Sequence, residues 1–304
     1  MRPDRHEVVL RTDGLDAVIF DMDGVITDTA TLHAAAWKEV FDDFLRSWSA
    51  RAGAIQRPFG PDDYRLHVDG KPRLDGVRAF LASRGILLTE GNPDDPVDGE
   101  TVHAIAHRKD ARFREHVQEG GVSAYPSSVA LVRELRERQV RVGVISASRN
   151  LRLVLDAAAL GDCFDARVDG VEAERLHLRG KPDPAVFLEA ARRLGASPER
   201  TIVVEDALAG VEAARRGGFA LVVGVDRTHH PEDLLASGAD VAVPDLADVH
   251  LALPQPHAVG AVVVDLEPLD AGGRAMEPLR RRLVALVRLG VDVALLGDRA
   301  LPAA

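Results

Sequence analysis

Asp16-Ala-Val-Ile-Phe-Asp-Met-Asp-Gly24 decides the fold of this chain. Its apolar half, Ala17 to Phe20, is short and partly β-branched, and it predicts a buried strand. Its polar half, Asp21-Met-Asp-Gly24, predicts a turn where that strand ends. A helical pattern follows over about Thr31 to Leu45, where Leu32, Ala36, Val40 and Phe44 recur at helical spacing. Residues Ser47 to Pro61 read as irregular. Further helical patterns lie at Gly76 to Ser83 and Val102 to Val117, separated by a Pro/Gly/Asp-rich loop over Thr89 to Gly99. This stretch contains no convincing strand.

Beyond Tyr125-Pro126 strands and helices alternate. Strands are expected at Val140–Ile145, Ala166–Val168, Ile202–Glu205, Leu221–Val225 and Val241–Val243. Helices are expected at Ser127–Arg138, Leu151–Leu160, Pro184–Leu194, Ala207–Arg216 and Asp233–Ala236. Short connections between alternating elements predict an α/β fold: a Rossmann-like, doubly wound parallel sheet. The strand ending at Phe20 needs partners from beyond residue 140, so the helical stretch is an insertion. The expected organisation is an α/β core over 14–31 and 122–250, a helical cap over 32–121, and an extension over 257–304.

The chain has 304 residues, with 38 Lys+Arg against 48 Asp+Glu, a formal net charge of −10. That sign argues against a general nucleic-acid or anionic-membrane binder. One cysteine, Cys163, excludes an intrachain disulfide and a cysteine zinc cluster. The charged segment Met1 to Gly14 lacks the apolar centre of a signal peptide. No apolar run approaches the ~18–20 residues that span a bilayer. A cytoplasmic monomer acting on a small molecule is expected.

Ligands of such sheets bind at the carboxyl ends of the strands. Asp21 and Asp23 follow the first strand, and Ser146, Ser148, Arg149 and Asn150 the second. Lys181 sits in Arg179-Gly-Lys-Pro-Asp-Pro184, and Glu205-Asp206 closes Ile202-Val-Val204. Each has an ordinary explanation alone: a turn, a helix cap or a solvated loop charge. Together they aim four carboxylates, a hydroxyl and an ammonium at one crevice. Such carboxylates repel unless a cation lies between them. Hard oxygen donors without His or Cys point to Mg²⁺.

Asp21-Met-Asp-Gly-Val-Ile-Thr-Asp28, Ser146, Lys181-Pro and Glu205-Asp206, in that order, resemble the haloacid-dehalogenase-type phosphotransferases over about residues 15 to 250. The resemblance implies that Asp21 is a nucleophile forming an aspartyl phosphate, and that Asp23 is the general acid/base. It implies Mg²⁺ held by the Asp21 carboxylate, the Asp23 carbonyl and Asp206, with Glu205 close by. Ser146 and the Ala147 N–H would bind phosphoryl oxygens, and Lys181 would balance charge. Within the family, Thr29, His33 and Trp37 recur four apart on one helix face and are similar to the β-phosphoglucomutase branch. There the histidine tethers the acid/base and the threonine belongs to the hinge. Val68-Asp-Gly-Lys-Pro-Arg73 resembles that branch's substrate loop, with Arg73 gripping a distal phosphate. Arg108-Lys109 resembles its basic pair, with Lys109 at the specificity position. Ser148 and Asn150 would touch sugar hydroxyls or phosphate.

The implied activity is interconversion of β-glucose 1-phosphate and glucose 6-phosphate through a bisphosphate. The alternatives are a sugar-phosphate phosphatase of the same family and a non-catalytic sugar-phosphate sensor. In the extension, Ala261-Val-Val-Val-Asp-Leu-Glu267 echoes Ala17 to Asp23, and Val291 to Arg299 echoes Val142 to Arg149. A degenerate second unit or a chance βαβ-like tail both fit that echo.

Overall fold

The computed structural model describes residues 8–12 and 14–252, and the backbone of 261–265 and 292–296. Its strands are β1 (Val8–Leu10), β2 (Ala17–Asp21), β3 (Arg141–Ile145), β4 (Ala166–Val168), β5 (Thr201–Glu205), β6 (Leu221–Val225), β7 (Val241–Val243), β8 (Val249–Leu251), β9 (Ala261–Asp265) and β10 (Asp292–Leu296). Six of them form one parallel sheet in the order β4-β3-β2-β5-β6-β7. The expected Rossmann-like α/β core is therefore present, with β2 at its centre and Asp21 at β2's last position.

Alternation along each strand divides the core into two layers. Val18 and Phe20 pack with Val142, Val144, Ile202 and Val204 on one face, and Ala17 and Ile19 with Ile145 and Val203 on the other. Helices α1 (Thr29–Ala52), α2 (Pro61–Asp63), α3 (Arg73–Ser83) and α4 (Val102–Gly120) lie between β2 and β3 in the chain, with a π-helical turn at Tyr64–Val68. They enclose a core of their own around Trp37, Phe41, Phe80 and Ile105. Full burial of each such side chain is worth roughly 1.5–3 kcal/mol. The other helices are α5 (Pro126–Glu137), α6 (Leu151–Ala157), α7 (Gly170–Arg175), α8 (Ala185–Leu194), α9 (Leu208–Arg216) and α10 (Pro231–Ser237). Leu131 and Leu135 of α5 and Val154 and Leu155 of α6 cover the first face. Phe187 and Ala190 of α8, with Val211 of α9, cover the second.

Several elements differ from the sequence reading. Helix α1 runs on to Ala52, so Ser47 to Ala52 is helical rather than irregular. It stops at Gly53, whose left-handed backbone (φ +66°) lets its N–H reach the Ser49 carbonyl. Helix α3 begins at Arg73, directly after Pro72, and not at Gly76. Helix α7 was not expected. Nor was the parallel pair β1–β8, which brings Val8 opposite Val249. In the extension, β9 and β10 pair in parallel, Ala261 opposite Asp292; the rest of 257–304 lies outside the described residues. No helix among the described residues is long and apolar enough to cross a membrane.

Candidate active site

Three strand ends and one loop build the floor of a cleft. Lys181 Nζ lies 2.5 Å from Asp21 Oδ1 and 2.8 Å from Glu205 Oε1, and all three residues are buried. One oxygen each from Asp21, Glu205 and Asp206 falls within 4.8 Å of the others. Glu205 Oε2 is buried and without a hydrogen-bond partner. Burial raises the Asp21 carboxyl to about 6, against the attraction of Lys181. Burial, then neighbouring carboxylates, drive Glu205 and Asp206 well above the usual carboxylate range. This set is short of positive charge and offers an unused buried oxygen, so it fits a divalent cation bound by hard donors.

Two glycines make the arrangement possible. At Gly24 the backbone is left-handed (φ +86°), and a Cβ there would stand 1.8 Å from Asp206 Oδ2. At Gly210 in α9 a Cβ would stand 1.6 Å from Glu205 Oε1. Side chains at either position would displace a carboxylate of the cluster.

Asp23 occupies a different setting. It accepts hydrogen bonds from Thr29 Oγ1 at 2.5 Å and Ser146 Oγ at 2.7 Å, and His33 Nε2 lies 3.3 Å away. Burial pushes its carboxyl up, but His33, Thr29 and Ser146 outweigh that and hold it well below the usual range. Two carboxyls two residues apart thus have their pKa values driven apart, the arrangement by which one site supplies distinct acid and base functions. His33 stacks on Phe113 at 3.9 Å, and its Nδ1 faces Lys109 Nζ in a short contact.

The helical side supplies the roof. Lys109 is buried, 4.9 Å from the Phe113 ring and 5.3 Å from that of Trp37. Burial, then Arg73, lower its pKa to about 7. Arg73 Nη1 lies 2.9 Å from Asp110 Oδ1, and Asn150 Nδ2 donates to the same oxygen at 2.8 Å. Ser148 N–H donates to Ser146 Oγ, and Asn150 N–H to Ser148 Oγ, so this run after β3 is a chain of tight turns.

Asp21, Asp23, His33, Trp37, Arg73 and Lys109 line one cleft together with Ala147, Ser148 and Asp206. Thr29 and Ser146 bond to Asp23, Lys181 to Asp21 and Glu205, and Asn150 to Asp110, and Ser146 and Lys181 also line the cavity that adjoins this cleft. Arg108, the other half of the basic pair, turns away and donates to the Val97 and Gly99 carbonyls. Two residues of the site were not singled out. Asp69 lines the cleft, raised to about 6 by burial, with Tyr64 as its hydrogen-bond partner. Asp110 bridges Arg73 and Asn150. Asp69 lies inside the substrate-loop motif Val68 to Arg73, and Asp110 follows directly on Arg108-Lys109; those positions are the available signal.

The family model for haloacid dehalogenase-like hydrolases matches residues 15–218. A β-phosphoglucomutase of Mycobacterium bovis is 43% identical over 256 residues, covering 82% of this chain and 98% of that protein. A trehalose-phosphate phosphatase of Mycobacterium leprae is 41% identical over 127 residues, 40% of this chain and 28% of that protein. The crystal structure of a β-phosphoglucomutase from Clostridium difficile superposes with a TM-score of 0.60 at 24% identity, covering 76% of this chain and 92% of that one.

Proposed function

The chain belongs to the haloacid dehalogenase-like hydrolase family, in its β-phosphoglucomutase branch, and from that premise we propose that it interconverts β-D-glucose 1-phosphate and glucose 6-phosphate through a glucose 1,6-bisphosphate. The observation that carries the proposal is a cleft lined by two unlike sets of groups: the carboxylates Asp21, Asp23 and Asp206, and the cations Arg73 and Lys109. A mutase must hold a phosphate at each end of its sugar; a simple phosphatase needs only the first.

In this reading Asp21 is the nucleophile. Its carboxylate attacks phosphorus, the bond to the sugar oxygen breaks, and protonated Asp23 delivers the proton to that oxygen. In the reverse half-reaction the sugar hydroxyl gives its proton to ionised Asp23 and attacks the aspartyl phosphate. A strongly depressed Asp23 pKa favours its ionised form, the one that takes the sugar hydroxyl's proton when Asp21 carries the phosphoryl group. Thr29, His33 and Ser146 aim it; His33 in turn stacks on Phe113, and Trp37 packs in the same helix face. Lys181 holds Asp21 Oδ1 at 2.5 Å, and the Asp23 N–H donates to Oδ2 at 2.8 Å, so the carboxylate is fixed at both oxygens. Ser146 Oγ and the Ala147 N–H would hold phosphoryl oxygens.

Asp21, Asp206 and the Asp23 carbonyl would hold Mg²⁺, with Glu205 beside them. When bound, the ion supplies charge neutralisation and orientation for the phosphoryl oxygens. At the far end Arg73, Lys109, Ser148 and Asn150 would grip the second phosphate, Arg73 by the paired hydrogen bonds that suit guanidinium and phosphate.

The phosphatase relative supports a second reading, hydrolysis of a sugar phosphate. Phosphorus NMR of β-glucose 1-phosphate incubated with Mg²⁺ and a trace of bisphosphate separates the two. Glucose 6-phosphate is the expected product; inorganic phosphate as the sole product would overturn the mutase.

A further inference from the structure

We infer that Asp110 is a stand-in for the substrate's distal phosphate: its carboxylate fills the distal site of the free chain, and only an anionic distal group displaces it well. The inference deepens the reading above and rests on its placing of Arg73 and Asn150. Asp110 lies on α4. It receives Arg73 from α3 at 2.9 Å and the Asn150 amide, just ahead of α6, at 2.8 Å. Its second oxygen lies 3.2 Å from Arg114 Nε. One carboxylate is thus clamped between a guanidinium of the inserted helices and an amide of the α/β core.

A phosphoryl group matches that carboxylate in sign and in acceptor geometry, since guanidinium forks fit both. Burial raises the Asp110 pKa, but Arg73, Asn150 and Arg114 outweigh it and keep the group anionic at neutral pH. Arg73 and Asp110 side chains are each only 19% exposed, so their mutual attraction is little screened by water. A sugar with a neutral far end would have to part Arg73 from Asp110 and return no charge to it. A phosphate returns up to two charges for one. Asp110 therefore sharpens selection between sugars with a phosphorylated and a neutral far end, at the expense of affinity for every ligand that enters the distal site. The same bridge fastens the helical insertion to the core until substrate arrives.

The test uses the full-length chain with Mg²⁺ and two probes: glucose 1,6-bisphosphate, and acetyl phosphate, which has no distal group. Asp110→Asn keeps the shape and removes the charge. The KM for bisphosphate is expected to fall about fivefold or more, relative to that for acetyl phosphate. Asp110→Ser, which also removes the anion, should move that ratio in the same direction. A KM for bisphosphate that rises in both variants would mean that Asp110 only orients Arg73, and would overturn the inference, as would an unchanged ratio. Arg73→Met is measured in parallel. If it leaves the bisphosphate KM untouched, the distal site and the mutase reading fall together. If it raises that KM while the Asp110 variants do not lower it, the stand-in alone falls.

Discussion

Replacing Lys181 by Met should cost stability in a way that pH tunes. The ammonium lies between Asp21 and Glu205 at 2.5 and 2.8 Å, and all three residues are buried. Removing one partner of a buried ion pair costs about 3–5 kcal/mol, because the other charges stay behind unpaired. For a chain of this size each kcal/mol moves Tm by roughly 2–4 °C, so the variant should melt roughly 6–20 °C lower. The penalty depends on the carboxyls being ionised. A carboxyl whose pKa is raised by folding costs nothing below its unfolded value near 3.8 and its full amount above its folded value, about 6 for Asp21. Without Lys181 both Asp21 and Glu205 rise further, so the variant goes on losing stability above pH 6, where the Asp21 contribution to the wild type is level. Lys181 is itself raised by folding; it contributes its full stability below its unfolded value and adds no slope from pH 5 to 8. The difference between the two proteins should therefore widen by up to about 1.4 kcal/mol per pH unit above pH 6. Thermal melts in chelator, from pH 5 to pH 8, read this directly. A gap that is constant over that range would refute the reasoning, because it would mean the carboxyls do not titrate with the site.

Lys109, lowered to about 7 by burial and Arg73, loses its charge as pH rises; KM for the bisphosphate should climb above pH 7 in the wild type and stay flat with pH in Lys109→Met, as steady-state kinetics would show. Gly24→Ala must either shift Asp206 or leave the left-handed turn, so calorimetry should find Mg²⁺ binding weakened at least about tenfold, with unfolding easier by about 1 kcal/mol or more. Deleting residues 257–304 should leave turnover and Tm close to those of the full chain; a large loss of either would show that the extension supports the site.

How much of this was legible in the sequence follows from the range of the interactions involved. Alternation over Ala17 to Phe20 sends Val18 and Phe20 to one layer and Ala17 and Ile19 to the other, and that pattern is local. The acids at the ends of β2 and β5 follow from it, because a parallel sheet brings its carboxyl ends to one edge. The β1–β8 pair was invisible, since three-residue strands carry little periodicity and their pairing joins the two ends of the core. Arg108 and Lys109 make the same point inside the site. Read as a string they are one basic pair. On a helix, adjacent side chains diverge by about 100°, so α4 turns Lys109 onto Phe113 and His33 while Arg108 caps the Val97 and Gly99 carbonyls. Asp110 follows a further 100° on and meets Asn150 across the gap between insertion and core. Beyond its place next to Lys109, nothing in composition or spacing distinguishes that aspartate from the solvated acids of α4. Its partner is supplied only by the packing of α4 against the turn after β3, and a pairing between segments so far apart in the chain cannot be read from either alone.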